Sequence, residues 1–196
     1  MTASTTNGRS RQEELGQFLT AKPTADFMAS MFGPSKPAAC STSQSRWGLL
    51  VKAIIEVFCA RWAPGAAILG ICDSEQGEVN LDSNALAALG VTLDSSAKLP
   101  GVMIHHETKN RLLLVEPVIK GGPVDEKRRQ ELQNLFAGSD AHLVFVTAFE
   151  NRRAMQTFGS EIAWESEVWF AEDPDHMIHF NGGRFLGPYP DAMPSK

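Results

Sequence analysis

Glu116 closes the apolar run Leu112, Leu113, Leu114, Val115, and Lys120 follows it four residues later. An acid at the end of a buried strand, with a lysine close behind, suits two kinds of chemistry. One is a strand-end ion pair. The other is a divalent metal site. Mg2+ takes oxygen ligands, usually one or two carboxylates completed by water and phosphate. A metal so held activates water against a phosphodiester, and a neighbouring lysine orients the nucleophile or stabilises charge. Such a site calls for a second acid beside Glu116. The place to find it is the start of the partner strand, Pro100 to Val102, and there the chain has Gly101. Two other acids come into question. Asp73 follows the apolar run 66–72 and also reads as a turn former. Glu56 lies off the centre of an apolar helix face and also reads as a solvated helix acid.

The elements that must position these residues follow from periodicity. Trp47, Leu50, Val51, Ile54, Ile55, Phe58 and Trp62 recur at spacings of three and four, which predicts a helix over 47–62 capped by Ser45. Pro64 and Gly65 end it, and 66–72 reads as a buried strand. Asp82 and Ser83 cap a short helix over 84–89, closed by Gly90. Residues 102–106 and 111–118 form antiparallel strands joined by a turn at 108–110. A helix runs over 123–136 and ends at Gly138, and 142–147 is a further apolar strand. Strand, helix, strand in that order is a crossover unit, which favours parallel neighbours in a mixed sheet. A helix over 151–158 and strands over 167–171 and 176–180 follow. Asn181–Gly182 then signals a hairpin back through 184–186.

Composition bounds the reading. The chain has 196 residues and a net charge of −5. That balance argues against a protein that coats nucleic acid by bulk charge, but not against a local basic groove. Seven basic residues stand against four acidic ones between 98 and 129, the one local positive excess. Lys98, Lys127, Arg128 and Arg129 are therefore candidates for phosphate contact, although an exposed helix face also explains the last three. Cys40, Cys59 and Cys72 show no paired spacing, so zinc and a disulfide framework are not expected, and a reducing, cytoplasmic setting is. The first residues lack the apolar stretch of a secretion signal, and the longest apolar run, broken by Lys52 and Glu56, is too polar to span a membrane. Residues 1–45 read as a helical appendage with weak helices at 11–19 and 23–31 and a linker at 32–45. The main domain is expected over 46–190, and 191–196 reads as a tail. His105, His106, His176 and His179 sit at spacings that point neighbours to opposite strand faces, which disfavours chelation. Trp164 and Trp169 read as core. Glu165 and Glu167 read as sharing one strand face.

The segments APGAAILGICDS, LAALGV, KLPGV, LLLVEPV, GGPVDEKRR, ELQNLFAGS, LVFVTAF, IAWESEVWFAE and HMIHFNGGRFLGPY, in that order, resemble the catalytic region of the BsuBI/PstI family of type II restriction endonucleases. The resemblance covers Arg46 to Tyr189. It implies a PD-(D/E)XK nuclease fold of class α/β, a mixed sheet flanked by helices, with Mg2+-dependent cleavage of double-stranded DNA as part of restriction–modification. It further implies that Glu116 and Lys120 are the catalytic candidates and that Glu116, Asp73 and Glu56 are the metal-ligand candidates. Because cutting both strands generally needs two active sites, a homodimer is expected, with a further protein partner also conceivable. Two departures stand out. The family's Pro-Asp dipeptide reads Pro100–Gly101 here, so Gly101 occupies a ligand position without a ligand. The family's lysine falls two residues after the acid, where this chain has Val118. These departures keep a second function in view, that of an inactive pseudo-nuclease that binds DNA or protein.

Overall fold

The computed structural model describes residues 45–73, 77–94 and 97–181. The expected appendage, apart from Ser45, and the tail lie outside the described residues, as do Gly182 and the returning strand at 184–186. Ser45 caps the first helix by accepting a hydrogen bond from the Gly48 N–H at 2.9 Å. The helix is continuous but changes pitch: α1 (Arg46–Ala53) passes through a π-helical segment (Ile54–Phe58) into α2 (Cys59–Trp62). The wider turn keeps Ile54, Ile55 and Phe58 on the buried side.

Seven strands form one sheet: β1 (Ala67–Asp73), β2 (Glu78–Leu81), β3 (Val102–His106), β4 (Arg111–Val118), β5 (His142–Phe149), β6 (Glu167–Phe170) and β7 (Met177–His179). Their spatial order is β2-β1-β3-β4-β5-β6-β7. The pairings β1–β2, β1–β3, β3–β4 and β6–β7 are antiparallel, while β4–β5 and β5–β6 are parallel. The other helices are α3 (Ser83–Ala88), α4 (Glu126–Leu135) and α5 (Arg152–Met155). The crossover from β4 through α4 to a parallel β5 therefore stands as the sequence predicts.

The two-residue period of the strands sorts the core into layers. Ile68, Val102, Ile104, Leu113, Val115, Val146 and Trp169 pack with Leu50, Val51, Ile54 and Phe58 of the first helix. Leu69, Met103, Leu112, Leu114 and Phe145 pack with Leu86 of α3 and with Leu132 and Phe136 at α4. A third cluster joins Val118, Phe149, Ile162, Val168 and Phe170. The sheet is thus covered on both faces, which is what the apolar strands require.

Several expectations need correction. β2 was not foreseen: its sequence, EVNL, is short and half polar, and it pairs with β1 across a loop in which Gly77 has φ +69°. The helix predicted over 123–136 starts at Glu126, because Asp125 caps it by accepting from the Arg128 N–H. The helix predicted over 151–158 stops at Met155. Glu165 does not share a strand face with Glu167: it lies outside β6 in a left-handed turn, φ +60°. Trp169 is fully buried, but Trp164 is 66 % exposed and only edges against Phe180.

One buried hydroxyl fixes the start of the crossover. Thr147 on β5, opposite Glu116 in the register, accepts a hydrogen bond from the Val124 N–H at 3.0 Å. Thr147→Val keeps the shape but leaves that N–H without a partner. The expected cost is about 1–3 kcal/mol, read from urea unfolding.

Candidate functional site

Glu116 sits two residues before the end of β4. Val102 pairs with Val115, so Gly101 falls across from Glu116. The Gly101 N–H donates to the Glu116 carboxylate, and the Gly101 carbonyl accepts from the Cys72 N–H at 2.9 Å. The ends of β1, β3 and β4 thereby converge. Around them opens a cleft of about 550 Å³. Glu116, Asp73, Lys98, Gly101, Lys120, Lys127 and Arg128 all line it, and so do Cys72, Asp125 and Glu131.

Most of the residues singled out in the sequence are therefore brought together. Asp73 is buried and terminates β1. Lys120 is exposed, just past the end of β4. Two residues are not brought in. Glu56 lies in the π-helical segment with its side chain 45 % exposed, pairs with Lys52 at 4.0 Å, and does not line the cleft. A turn of helix with an extra residue per turn lets the core-facing residues stay buried while Glu56 points away. Arg129 also falls outside the cleft and pairs with Glu126 at 2.9 Å and Glu165 at 3.7 Å.

Arg128 is engaged more deeply than its sequence position indicates. It reads as a phosphate contact, yet its guanidinium is turned inward. Its Nε donates to Glu116 Oε1 at 2.8 Å, and its Nη2 lies 2.7 Å from the same oxygen. The Lys98 and Leu99 carbonyls each accept from it at 3.0 Å. Glu131 approaches at 3.5 Å. The side chains of Arg128 and Glu116 are only 15 % and 17 % exposed. One guanidinium therefore ties α4, the segment before β3 and the end of β4 into a single corner. Asp125 as N-cap puts position 128 on the first turn of α4, which by itself leaves open whether the side chain faces solvent or strand.

Burial pushes the Glu116 carboxyl above its ordinary value, and this outweighs the opposing pull of Arg128, the Gly101 N–H and Lys98. Burial, helped by the charge of Glu116, raises the Cys72 thiol to about 11, so it stays protonated at neutral pH.

Whether this corner suits a divalent cation can be judged from its donors. Glu116 is engaged by Arg128, and Gly101 offers no side chain. Among the described residues, no group of three or more His, Cys, Asp or Glu side chains is placed to hold a metal ion. The corner thus offers a divalent ion Asp73 and a Glu116 already engaged by Arg128, with no cluster of three such ligands among the described residues. No helix among the described residues is long and apolar enough to cross a membrane.

Residues 36–183 match the BsuBI/PstI restriction endonuclease domain, a match that begins ahead of the boundary expected at 46. Over 140 residues the chain is 49 % identical to the type II restriction enzyme BsuBI of Bacillus subtilis, covering 71 % of this chain and 44 % of that enzyme. Over 145 residues it is 32 % identical to the type II restriction enzyme AplI of Arthrospira platensis, covering 71 % of this chain and 45 % of that one. The solved structure of the SdaI restriction endonuclease superposes with a TM-score of 0.68 at 43 % identity, covering 74 % of this chain and 46 % of its own. The chain thus spans somewhat under half the length of the relatives it matches.

Proposed function

Because this chain belongs to the BsuBI/PstI restriction endonuclease domain family and has a restriction-endonuclease-like α/β fold, we propose that its Glu116 cleft receives the backbone of double-stranded DNA. The observation that carries this reading is the shared lining. Lys98, Lys120 and Lys127 stand around the same opening as Glu116 and Asp73. Ammonium groups at the mouth of a concave site suit phosphate oxygens, and such contacts position a duplex without reading its bases. Arg128 contributes its charge from inside the wall. Phosphodiester cleavage is the reaction that belongs to the fold. In this chain the proposal is binding with cleavage suppressed, because the position across from Glu116 is Gly101 and supplies no second carboxylate.

A second reading is a Mg2+-dependent endonuclease. It is favoured by one observation: Glu116, Asp73 and Lys120 line one cleft, although they come from different segments. In that reading Glu116 and Asp73 would hold the ion, which would supply the activated water. A homodimer would be needed to cut both strands, and sedimentation velocity with duplex DNA would reveal it.

The experiment pairs supercoiled plasmid, with Mg2+ or Mn2+, with fluorescence anisotropy on a duplex. The proposal expects no nicking above that of Glu116→Ala, together with binding that weakens steeply with salt. Three phosphate contacts correspond to a log–log salt slope of about −3. Lys98→Ala is expected to reduce that slope by about 1. Cleavage that vanishes in Glu116→Ala would establish the second reading instead. Absence of any salt-dependent duplex binding would overturn both.

A further inference from the structure

We propose that the cleft carries its own cation: Arg128 holds the charge position beside Glu116, and Pro117 restricts residue 101 to glycine, so DNA phosphates are taken up without a divalent ion. This rests on the DNA-binding reading above and specifies how that site works. Two independent observations carry it.

The first is the seat of Arg128. Its guanidinium serves Glu116 and the Lys98 and Leu99 carbonyls at once. Both of its contacts to the carboxylate fall on Glu116 Oε1, so a divalent ion there is left with Oε2 and meets the guanidinium charge across the same carboxyl group. Displacing Arg128 instead would cost the Lys98 and Leu99 carbonyls their donor in a largely enclosed corner. The ion would receive nothing from residue 101 in return.

The second is a steric lock. A Cβ at position 101 would fall well inside van der Waals contact of Pro117 Cδ, with Cγ at 2.8 Å and the Val115 carbonyl oxygen at 3.5 Å. A flexible side chain could rotate away from such a contact. The Pro117 ring is closed onto its own backbone and cannot. That backbone is pinned in register, Pro117 opposite Ala148 on β5. Any side chain at 101, a carboxylate included, is therefore excluded while Pro117 is present. The same corner thus has Glu116 engaged by Arg128 and lacks room for a carboxylate at 101. What remains exposed at its mouth is the set of ammonium groups of Lys98, Lys120 and Lys127.

The test uses the full chain and three readouts. Mn2+ paramagnetic resonance reports ion binding directly, with Glu116→Gln as the control. Duplex anisotropy is measured in EDTA and in Mg2+ at matched ionic strength. Thermal unfolding follows Gly101→Asp, Pro117→Ala and the double variant. The expected results are no bound Mn2+ at millimolar ion and duplex affinity equal within twofold in the two buffers. Gly101→Asp should lower Tm by roughly 5 °C, and most of that loss should disappear on the Pro117→Ala background. Bound Mn2+ that is lost in Glu116→Gln, or duplex affinity raised tenfold by Mg2+, would overturn the internal cation. An equal loss from Gly101→Asp on both backgrounds would overturn the lock. Failure to bind duplex in either buffer would instead refute the DNA-binding reading, and the Mn2+ and unfolding results would still decide whether the corner accepts an ion.

Discussion

Arg128→Ala is expected to destabilise the domain by about 3–5 kcal/mol, the cost of breaking an enclosed ion pair by removing one partner. Glu116 is held in a corner where burial already works against its charge. Arg128 is the strongest of the groups that offset this, and it also satisfies the Lys98 and Leu99 carbonyls. Alanine withdraws all of these bonds together and leaves the carboxylate with the Gly101 N–H and the Lys98 charge alone. At this chain length the loss corresponds to a fall in Tm of roughly 10 °C. Two companion variants test the cause. Arg128→Lys keeps the charge but not the planar fork that reaches three acceptors, and should recover only part of the loss. Glu116→Gln combined with Arg128→Ala removes both charges and should be more stable than Arg128→Ala alone. If the double variant is no better than the single, the Arg128 effect is not electrostatic.

Trp169→Ala is expected to cost a similar amount, about 3–5 kcal/mol, for a different reason. Trp169 is fully buried in β6, packs edge-on against Phe58 at 5.5 Å, and donates its indole N–H to the Pro174 carbonyl at 3.2 Å. The same carbonyl accepts from Trp62 at 3.1 Å, so one oxygen links the end of the first helix to β6. Truncation opens a cavity at the centre of the layer between that helix and the strands. Trp164→Ala is the matched control. That side chain is mostly exposed, and its removal should change stability by about 0.5 kcal/mol or less. Chemical denaturation of both variants checks the contrast, and equal losses would mean that Trp164 is covered in solution.

The difference between these two tryptophans marks what was legible in the sequence. The continuous apolar run from Leu112 to Val115 locates a central strand, and the crossover from β4 to β5 follows from the charged helix between two apolar runs. Trp169 inherits its burial from that pattern, with Val168 and Phe170 as neighbours. Trp164 lies just before the strand, where no period applies, and composition alone assigned it to the core. β2 was missed for a related reason: half of EVNL is polar, and its pairing is set by β1. In the site, Glu116, Asp73, Lys98, Lys120 and Lys127 converge as their positions at element ends suggest. Glu56 does not: it lies off the apolar face, as its spacing from Ile54, Ile55 and Phe58 indicates, and pairs with Lys52. The inward turn of Arg128 was beyond sequence reasoning. A basic residue on the first turn of a helix can face solvent or strand, and only the packing of α4 on the sheet decides which.

The contact between Pro117 and position 101 also sets the order in which the corner could change over generations. With proline at 117, every single substitution at 101 meets the ring, so an acid there arises on a destabilised background and is disfavoured before it can be useful. With a smaller residue at 117 first, the same acid is sterically neutral. An acid at 101 is therefore conditional on a prior change one strand away. A population evolving under mild pressure for stability would retain Gly101 for as long as it retains Pro117, whether or not a carboxylate at 101 would be of advantage.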